Sequence, residues 1–599
     1  MPASVSTSGA LTTFTVKVGG TAIPDAFRVF SLRIEKKLSR VPMANIVVLD
    51  GDASTGEFPA SSSSTFVPGA EISIEAGYDN QNQLLFKGII TQQSIRIDET
   101  VGSALEVECY DAAIRMTVGR KSLTFSKQAD STIIASLINA YNGLEAKVVP
   151  TTTIWANQVQ YYVSDWDFIL ARAEANGLVV NVLNGTVAVI KPDADTTSVV
   201  SVGYGNGLLA FNATMDSASQ LGTATAISWD YPTQSISSCL KVNHFAGGAG
   251  NISSQKLSSV MHTGEYPLQT SAPMEMEDLS NWSDAQLVKS NYAKIQGTAK
   301  FQGSSMVEPA RYMTISGVGD RFNGDYLISG VLHELSNGNW ITQVSLGLSP
   351  NWYTENPSIM APSASGLLPG ARGLFSGTVK QNSQDPDGQY RVLVSLPLFD
   401  ENGPGIWARL SNFYSTNGAG AFFLPEIGDE VVLGFMSEDP RYPIILGSLY
   451  SSPKNKPLQG LEPSAINGKK VMATKSGTKL EFDDEQKTIS VVTPGNKKLA
   501  LSDKENTISI EDENGNSIIM SNTGITIKSK KDINIEADQK INFKGTQGVT
   551  ISSPGGDINI KGINISEQAD SQYAAQGSET ATVKGGMELT LKSAMIMIN

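Results

Sequence analysis

The last quarter of the sequence is built from short units in which two apolar residues flank a single intervening residue. Successive units start 9, 10, 9, 10, 7, 8, 8, 8, 9 and 5 residues apart, which marks a repeat. Gly, Asn and Asp between the units are typical of turns. The units are Leu480-x-Phe482, Ile489-x-Val491, Leu499-x-Leu501, Ile508-x-Ile510, Ile518-x-Met520, Ile525-x-Ile527, Ile533-x-Ile535, Ile541-x-Phe543, Val549-x-Ile551, Ile558-x-Ile560 and Ile563-x-Ile565.

This repeat constrains the fold because residues two apart in a strand point to the same face. Each unit offers two apolar side chains to one interior, and burying two side chains stabilises less than ordering about eight residues costs. A solenoid made by one chain needs coils of about 20 residues to enclose an interior. The short period therefore predicts an intertwined oligomer, most simply with three strands per layer.

The repeat region also lacks the residue types that most chemistry requires. Residues 471–599 contain no Arg, His, Cys or Trp, which favours a mechanical role. The sequence ends in the apolar strand Ala594-Met-Ile-Met-Ile-Asn599. Because an exposed apolar edge usually needs a cover, this end predicts a capping partner.

The first 350 residues are predicted to be α+β with strands in the majority. Phe14–Val18, Ala44–Leu49, Glu71–Glu75 and Ala104–Cys109 alternate or cluster β-branched and apolar residues. Helical spacing predicts three helices, at residues 131–142, 165–176 and 283–295, with Ser164 as the N-cap of the second.

A Pro-, Ser- and Gly-rich stretch at residues 350–372 reads as a linker, and a strand-rich segment follows it. Five short strands within about 80 residues suit a small barrel. Gly428 and Asp429 suit a tight turn into a buried strand, and Pro440 and Pro443 fix the approach to the next strand.

Composition excludes several classes of function. The net charge of −14, from 45 Lys and Arg against 59 Asp and Glu, disfavours binding to nucleic acid. Two cysteines, Cys109 and Cys239, are too few for a disulfide framework and are predicted to be buried free thiols. The three histidines, at positions 244, 262 and 333, show no metal-ligand spacing. The N-terminus has no basic start followed by an apolar run, which predicts synthesis in the cytoplasm without a signal peptide.

The sequence offers few residues that could form a catalytic or metal-binding site. Carboxylate pairs at positions 429/430, 483/484 and 511/512 could in principle act as acid and base, but each is expected at a turn or on a solvent-facing surface. Asp512-Glu-Asn-Gly-Asn516 departs from a calcium loop because its Gly stands fourth instead of sixth. No catalytic, cofactor or metal residues are predicted, and the chain is expected not to be an enzyme.

Two runs, Leu424-Pro-Glu-Ile-Gly-Asp-Glu-Val-Val-Leu-Gly-Phe435 and Asp439-Pro-Arg-Tyr-Pro-Ile-Ile-Leu-Gly-Ser-Leu-Tyr450, resemble the OB-fold signature of VgrG-type spike proteins of contractile injection systems. These systems include type VI secretion, extracellular injection particles and phage-tail hub-spike fusions. The early barrel run Asp385–Val394, the helix at Ser164–Leu178 and the late strands at Phe322–His333 resemble other parts of the family.

The resemblance implies a mainly β chain in the order hub, OB barrel and trimeric β-helix spike. The implied domains are a hub at 1–355, a linker at 356–372, a barrel at 373–452, a second linker or neck at 453–478 and a spike at 479–599. The residues that carry the barrel signature are Gly428, Asp429, Glu430, Asp439, Pro440, Pro443 and Gly447.

The resemblance further implies a homotrimer that caps an inner tube, matches three-fold to six-fold symmetry and pierces a target envelope. Its implied partners are a PAAR-type tip protein, tube and baseplate proteins and effector cargo, with transient contact with the target membrane. The tip protein would bind Met595, Ile596, Met597 and Ile598. Such a particle would assemble in the cytoplasm and act outside the cell.

Two alternatives belong to other classes of protein. A trimeric tail fibre that binds or degrades surface polysaccharide also uses an intertwined β-helix, but it needs a groove with aromatics, and the last Trp here is Trp407. A cell-wall hydrolase would need a domain between barrel and spike, and only about 30 residues separate Tyr450 from Leu480.

Overall fold

The computed structural model describes residues 3–4, 11–99, 102–245, 247–261, 264–451 and 454–598. The chain is mainly β, as predicted, and divides into two compact units, Met1–Leu449 and Tyr450–Asn599. None of the described helices is both long and apolar enough to cross a membrane.

The N-terminal part of the first unit is dominated by one large sheet. Its path runs β1-β14-β20-β21-β4-β5-β8-β7-β6-β2-β3, and β22, β19 and β15 branch from β21. The strands of this part are β1 (Ala3–Ser4), β2 (Thr12–Val18), β3 (Thr21–Ala22), β4 (Arg28–Lys37), β5 (Met43–Leu49), β6 (Glu71–Tyr78), β7 (Gln81–Asp98), β8 (Gly102–Tyr110), β9 (Lys121–Ala129), β10 (Glu145–Val148), β11 (Ile154–Val163), β12 (Val179–Leu183), β13 (Thr186–Ile190), β14 (Ser198–Gly203), β15 (Leu208–Met215), β16 (Thr223–Asp230), β17 (Ser235–Val242), β18 (Tyr266–Thr270), β19 (Ile295–Gln302), β20 (Tyr312–Ser316), β21 (Gly324–Ser336) and β22 (Asn339–Leu346).

Alternation of apolar and polar residues builds the cores of this sheet. In β5 every second side chain is buried, so Ala44, Ile46 and Val48 enter the core while their neighbours face outward. A second core forms where β20, β21 and β22 meet β19, around Phe301 and Val344. Three smaller sheets, β10-β13-β12, β11-β9 and β17-β16-β18, flank the large one.

The described helices are α1 (Asp130–Asn139), α2 (Asp165–Ala175), α3 (Ser254–Ser258) and α4 (Met276–Ala293). Ser164 caps α2 as predicted, and its hydroxyl oxygen accepts a hydrogen bond from the Asp167 N–H at 3.1 Å. The predicted start of the last helix at residue 283 is wrong. The helix begins seven residues earlier, because Leu279 is fully buried against β16 and extends the apolar face towards the N-terminus.

The last part of the first unit is a closed five-stranded barrel. Its strands pair in the order β23-β24-β25-β29-β28 and close back onto β23. Fully buried Val392, Val394 and Leu433 fill its interior. The strands of this region are β23 (Phe375–Gln381), β24 (Val392–Ser395), β25 (Ile406–Leu410), β26 (Ser415–Thr416), β27 (Ala419–Gly420), β28 (Glu430–Phe435) and β29 (Pro443–Ser448), with β26 and β27 forming a separate hairpin.

The second unit begins with a seven-stranded antiparallel sheet in which every strand pairs with the next strand in sequence. Strands β31 to β36 coincide with the first six repeat units, and β30 precedes them. The strands are β30 (Lys469–Ala473), β31 (Lys479–Asp483), β32 (Thr488–Val492), β33 (Lys498–Ser502), β34 (Thr507–Glu511), β35 (Ser517–Ser521) and β36 (Gly524–Lys528).

Candidate self-assembly surfaces

The register of the second-unit sheet places both apolar residues of each of the first six repeat units on one face. Two columns of side chains cross six strands, and we call them together the apolar face. One column is Leu480, Val491, Leu499, Ile510, Ile518 and Ile527, and the other is Phe482, Ile489, Leu501, Ile508, Met520 and Ile525.

The apolar face is uncovered within one chain. Eleven of its twelve side chains are 37–67% exposed, and Leu480 is half-buried. A contiguous apolar surface of this kind marks an interaction site or an aggregation hazard. The opposite face is mostly polar, although Val492, Ala500 and Ile519 also lie on it. On that face Lys479 donates to Glu481 at 2.7 Å, and this hydrogen bond holds the pKa of Glu481 below its ordinary value.

Ser529 and Lys530, just after β36, donate to the Asn516 side chain at 2.9 and 3.3 Å, and the described residues beyond them form no further strand. Bends recur about every eight residues, at 530–531, 538–539 and 546–547 and again at 570–571, 578–579 and 586–587. Every residue from Lys530 to Ile598 is exposed. Within residues 532–598, all of which the structure describes, no backbone N–H donates to a backbone carbonyl of the chain.

Extended backbone without partners is costly in a folded protein, because each N–H and C=O group must be hydrogen-bonded once it is buried. The apolar residues of this segment are 44–102% exposed, including Ile541 at 44% and Ile563 at 102%. One copy of the chain therefore supplies neither hydrogen-bond partners for the backbone of this segment nor a core that buries its apolar side chains.

The proposed tip residues stand at the end of this segment. Met595, Ile596, Met597 and Ile598 are 72%, 52%, 78% and 90% exposed, and the Met595 N–H donates to Ser593 Oγ at 3.3 Å. These four side chains form an apolar end that no other described part of the chain covers.

The barrel signature residues lie where β28 and β29 begin and end. Gly428 has φ +95° in the turn before β28, a conformation that disfavours other residues. Asp429 accepts from the Glu426 N–H at 2.9 Å, and Glu430 is the first residue of β28. The structure thus places this part of the signature in the turn and strand that the sequence predicted.

The remaining signature residues shape the entry to β29. Asp439 is buried and accepts from Arg441 at 2.7 and 3.0 Å, and the hydrogen bonds from Arg441 hold its pKa below the ordinary value. Pro440 follows it, Pro443 is the first residue of β29 opposite Phe435, and Gly447 pairs with Val432. These contacts organise a barrel and offer no catalytic group.

A polar clamp that sequence reasoning missed joins the N-terminal part to the barrel. Arg120 donates to the carbonyls of Tyr162, Ser358 and Met360 at 2.8–3.0 Å. A second contact lies on the barrel side of the segment: Glu438, between β28 and β29, accepts hydrogen bonds from Ser363 and from Arg372. Residues 353–366 include three 3-10 turns, so the segment predicted as a linker is docked on both sides.

The acidic, histidine and cysteine side chains of the described residues do not come together in a common metal site. Among the described residues, no three His, Cys, Asp or Glu side chains are grouped to hold a metal ion. Asp512 accepts from the N–H groups of Asn514 and Asn516 at 2.9 Å, which forms the turn between β34 and β35. His262 lies outside the described residues.

The buried titratable groups serve the core. His333 is fully buried, and burial lowers its pKa to about 3, helped by the charge of Lys36. Cys109 is buried as predicted, and burial raises its pKa to about 12. The prediction for Cys239 is wrong: it is only half-buried, because it belongs to the edge strand β17.

Two family models match this chain. The model described as the Alg8 N-terminal domain matches residues 8–337, which is more than half of the sequence. The model described as the type VI secretion system/phage-baseplate injector OB domain matches residues 375–450, the closed barrel.

Curated relatives are spike proteins from Pseudomonas aeruginosa. The type VI secretion system spike protein VgrG1c is 25% identical over 27% of this chain and 24% of that protein. The spike protein VgrG1a is 31% identical over 17% of this chain and 16% of that protein. The chain therefore aligns with less than a quarter of the length of these relatives.

A solved structure of the E. coli c3393 protein, described as a type VI secretion component similar to T4 bacteriophage tail proteins gp27 and gp5, covers 72% of this chain and 99% of that one. Its TM-score is 0.38 and its sequence identity 13%. The barrel match and the curated relatives confirm the predicted resemblance to VgrG-type spike proteins.

Proposed function

This chain belongs to the family of the Alg8 N-terminal domain. From the match of its barrel to the type VI secretion system/phage-baseplate injector OB domain and from its similarity to VgrG spike proteins, we propose that it is the central spike of a contractile injection machine. In this proposal three copies join along the apolar face and the segment that follows it. The first unit forms the hub and neck, and the repeat region forms a stiff needle.

The observation that carries the proposal is the segment at residues 532–598, which is exposed throughout and in which no backbone N–H donates to a backbone carbonyl of the chain. Three copies wound around one axis would pair the backbone of each with its neighbours and enclose the two apolar residues of each repeat. A rod of interwoven chains cannot unfold one protomer at a time, which suits an element that transmits force.

The proposed role is structural and non-enzymatic. The hub would cap the inner tube, adapt three-fold to six-fold symmetry and contact baseplate proteins. The needle would carry a PAAR-type tip protein or effector cargo through the target envelope, touching the membrane only in passing. The particle would assemble in the cytoplasm and be delivered outward.

Mass and imaging of the purified full-length chain test this function. We expect a mass close to three times 63.8 kDa and, in isolated particles, a narrow spike at the end of a sheathed tube. A monomer at micromolar concentration, or particles that retain their spike when this chain is deleted, would contradict the proposal. Tight binding or cleavage of a surface glycan would instead support a tail fibre.

Removal of residues 594–599 is expected to abolish tip-protein binding and to leave the trimer intact. The deletion removes the four exposed apolar side chains at this end together with Ala594 and Asn599, and it leaves the repeat units up to Ile565 intact. Co-purification with a PAAR-type protein measures binding, and mass measures the trimer. The matched control replaces Lys592 and Ser593 by alanine, which changes polar neighbours and keeps the apolar end. Tip binding by the truncated chain would remove this end as the binding site.

A further inference from the structure

One lysine of the first unit is buried among groups that do not neutralise its charge. Lys294 follows directly after α4 and is 4% exposed. Its ammonium has three N–H donors, but its one hydrogen bond within the described chain goes to the Ile252 carbonyl at 3.5 Å. That distance is longer than the usual N–H···O range of about 2.7–3.2 Å. The ammonium therefore has donors that the described residues do not use.

Two other buried lysines show the usual arrangement. Lys36 is 1% exposed and donates to both oxygens of Glu308 at 2.7 and 3.0 Å, and Lys289 is 7% exposed and donates to Glu174. A buried charge is normally paired in this way, because an isolated ion loses its hydration without compensation. Among the described residues no carboxylate does this for Lys294, and burial lowers its pKa.

The Lys294 side chain lines a small cavity beside a glycine-rich loop at residues 247–251. The backbone of this loop approaches the ammonium closely, since a Cβ at Gly248 would lie 3.6 Å from Lys294 Nζ. The cavity measures about 40 Å³. A water needs about 10–15 Å³, and pockets for drug-sized molecules measure about 300–1,000 Å³. The cavity therefore suits a ligand of one or very few atoms.

Hydrogen-bond donors dominate the lining of this cavity next to Lys294. Ala249 is 4% exposed, and none of the described residues accepts a hydrogen bond from its N–H. Buried N–H groups are nearly always paired in folded proteins. The side-chain oxygen of Asn291 accepts from Asn243 at 2.7 Å, which leaves the Asn291 amide N–H groups as donors.

The acceptors of the lining are engaged elsewhere. Asp325 is exposed, and its Oδ1 accepts from Ser198 and Thr314 at 3.0 and 2.6 Å. The hydroxyls of Tyr292 and Tyr312 are hydrogen-bonded to each other at 2.8 Å. N–H donors that surround an unneutralised ammonium favour an anion over a cation.

We propose that Lys294, together with the Ala249 N–H and the Asn291 amide, binds one small monovalent anion of the size of chloride. A single negative charge matches the single ammonium, and a tetrahedral oxyanion with five heavy atoms exceeds the space. The bound ion ties the glycine-rich loop to the end of α4. This site lies within the fold of one copy, so it does not depend on the proposed assembly.

Anomalous diffraction from crystals of the full-length protein grown in sodium bromide locates the ion. We expect a bromide peak within hydrogen-bond distance of Lys294 Nζ in the wild type and in Lys256→Met, and no such peak in Lys294→Met. Lys256 is the matched control, because it is an exposed lysine of α3 four positions after Ile252. An ordered water only at this place in the wild type would overturn the proposal.

Amide hydrogen exchange measures the same site in solution, with chloride replaced by gluconate at constant ionic strength. With chloride at about ten times its dissociation constant, we expect residues 247–252 of the wild type to exchange about tenfold more slowly, because the ion binds only the closed loop. Lys256→Met should show the same slowing, and exchange in Lys294→Met should not respond to chloride.

The wild type alone decides the matter if Lys294→Met does not fold. Equal exchange of residues 247–252 in chloride and in gluconate overturns the proposal, even beside a bromide peak, because it would show binding at crystal concentration only. Neither measurement depends on the number of copies in the assembly, so failure of this inference would leave the proposed spike unaffected.

Discussion

A full-length chain with Ile508 replaced by lysine is expected to run at the mass of one copy, where the wild type runs at three. Ile508 lies in the apolar face with Leu501 and Met520 opposite it on the neighbouring strands. In the proposed trimer three ammonium groups would enter one apolar layer. Each desolvated charge without a partner costs several kcal/mol, and the three also repel one another.

The control for this variant is one residue away on the same strand. Thr507 points to the opposite, polar face and pairs with Ser502, so Thr507→Lys should keep the trimer. Analytical ultracentrifugation of both variants makes the comparison. If Ile508→Lys stays trimeric with the thermal stability of the wild type, the apolar face is not the contact between copies.

The second large effect is expected in the first unit, where Arg172→Ala should destabilise α1 and α2 by about 3–5 kcal/mol. Asp130 is 1% exposed and accepts from Arg172 at 2.8 and 2.9 Å. Asn176 and Trp155 donate to the same carboxylate at 2.9 and 3.2 Å. Removal of the guanidinium leaves a buried carboxylate without its counter-charge.

The pH dependence of this effect follows from Asp130. Burial raises its pKa, and the hydrogen bonds and charge of Arg172 outweigh burial, so the pKa lies below the ordinary 3.8. A carboxyl with a lowered pKa stabilises the folded state above the ordinary value, and this contribution is lost as pH falls through the lowered one. The difference between wild type and Arg172→Ala should therefore be largest near neutral pH and shrink below pH 3.8.

Hydrogen exchange at the amides of α1 and α2 measures this local stability in a chain with several cooperative units. Arg33→Ala is the control, because Arg33 and Glu35 form an exposed pair 3.8 Å apart, worth about 0.2–1 kcal/mol. An effect of Arg172→Ala no larger than that of Arg33→Ala would show that the buried pair does not hold the two helices.

The features that could be predicted from the sequence are those that depend on short-range patterns of residues. Two-residue alternation predicted which residues of each repeat unit share a face, and the strand register shows the same pairs. The cap at Ser164 follows from side-chain chemistry within one turn of helix. The shared face and the helix cap each depend on residues that lie within a few positions of one another in the sequence.

Features that depend on distant residues could not be predicted. The contacts of Arg120 with Ser358 and Met360 span about 240 positions, and no local pattern reports them. The antiparallel pairing of repeat units within one chain was also not foreseen. A signal for it exists in the spacing of the units, which is 9–10 residues up to Ile518 and then 7, 8, 8, 8, 9 and 5, and the paired sheet ends one unit after this change, at β36.

A chain of near-identical eight-residue turns has a specific weakness: three copies could slide past one another by one turn and still match apolar to apolar. One interruption breaks this translational symmetry. The turn at Pro554-Gly555-Gly556 spans three residues where the bends before it span two, and the next bend is the single residue Ile563, so the regular pattern is broken at this layer. In the proposed trimer a shift by one turn would set this layer against regular ones, and the irregularity would keep the three copies in a single alignment.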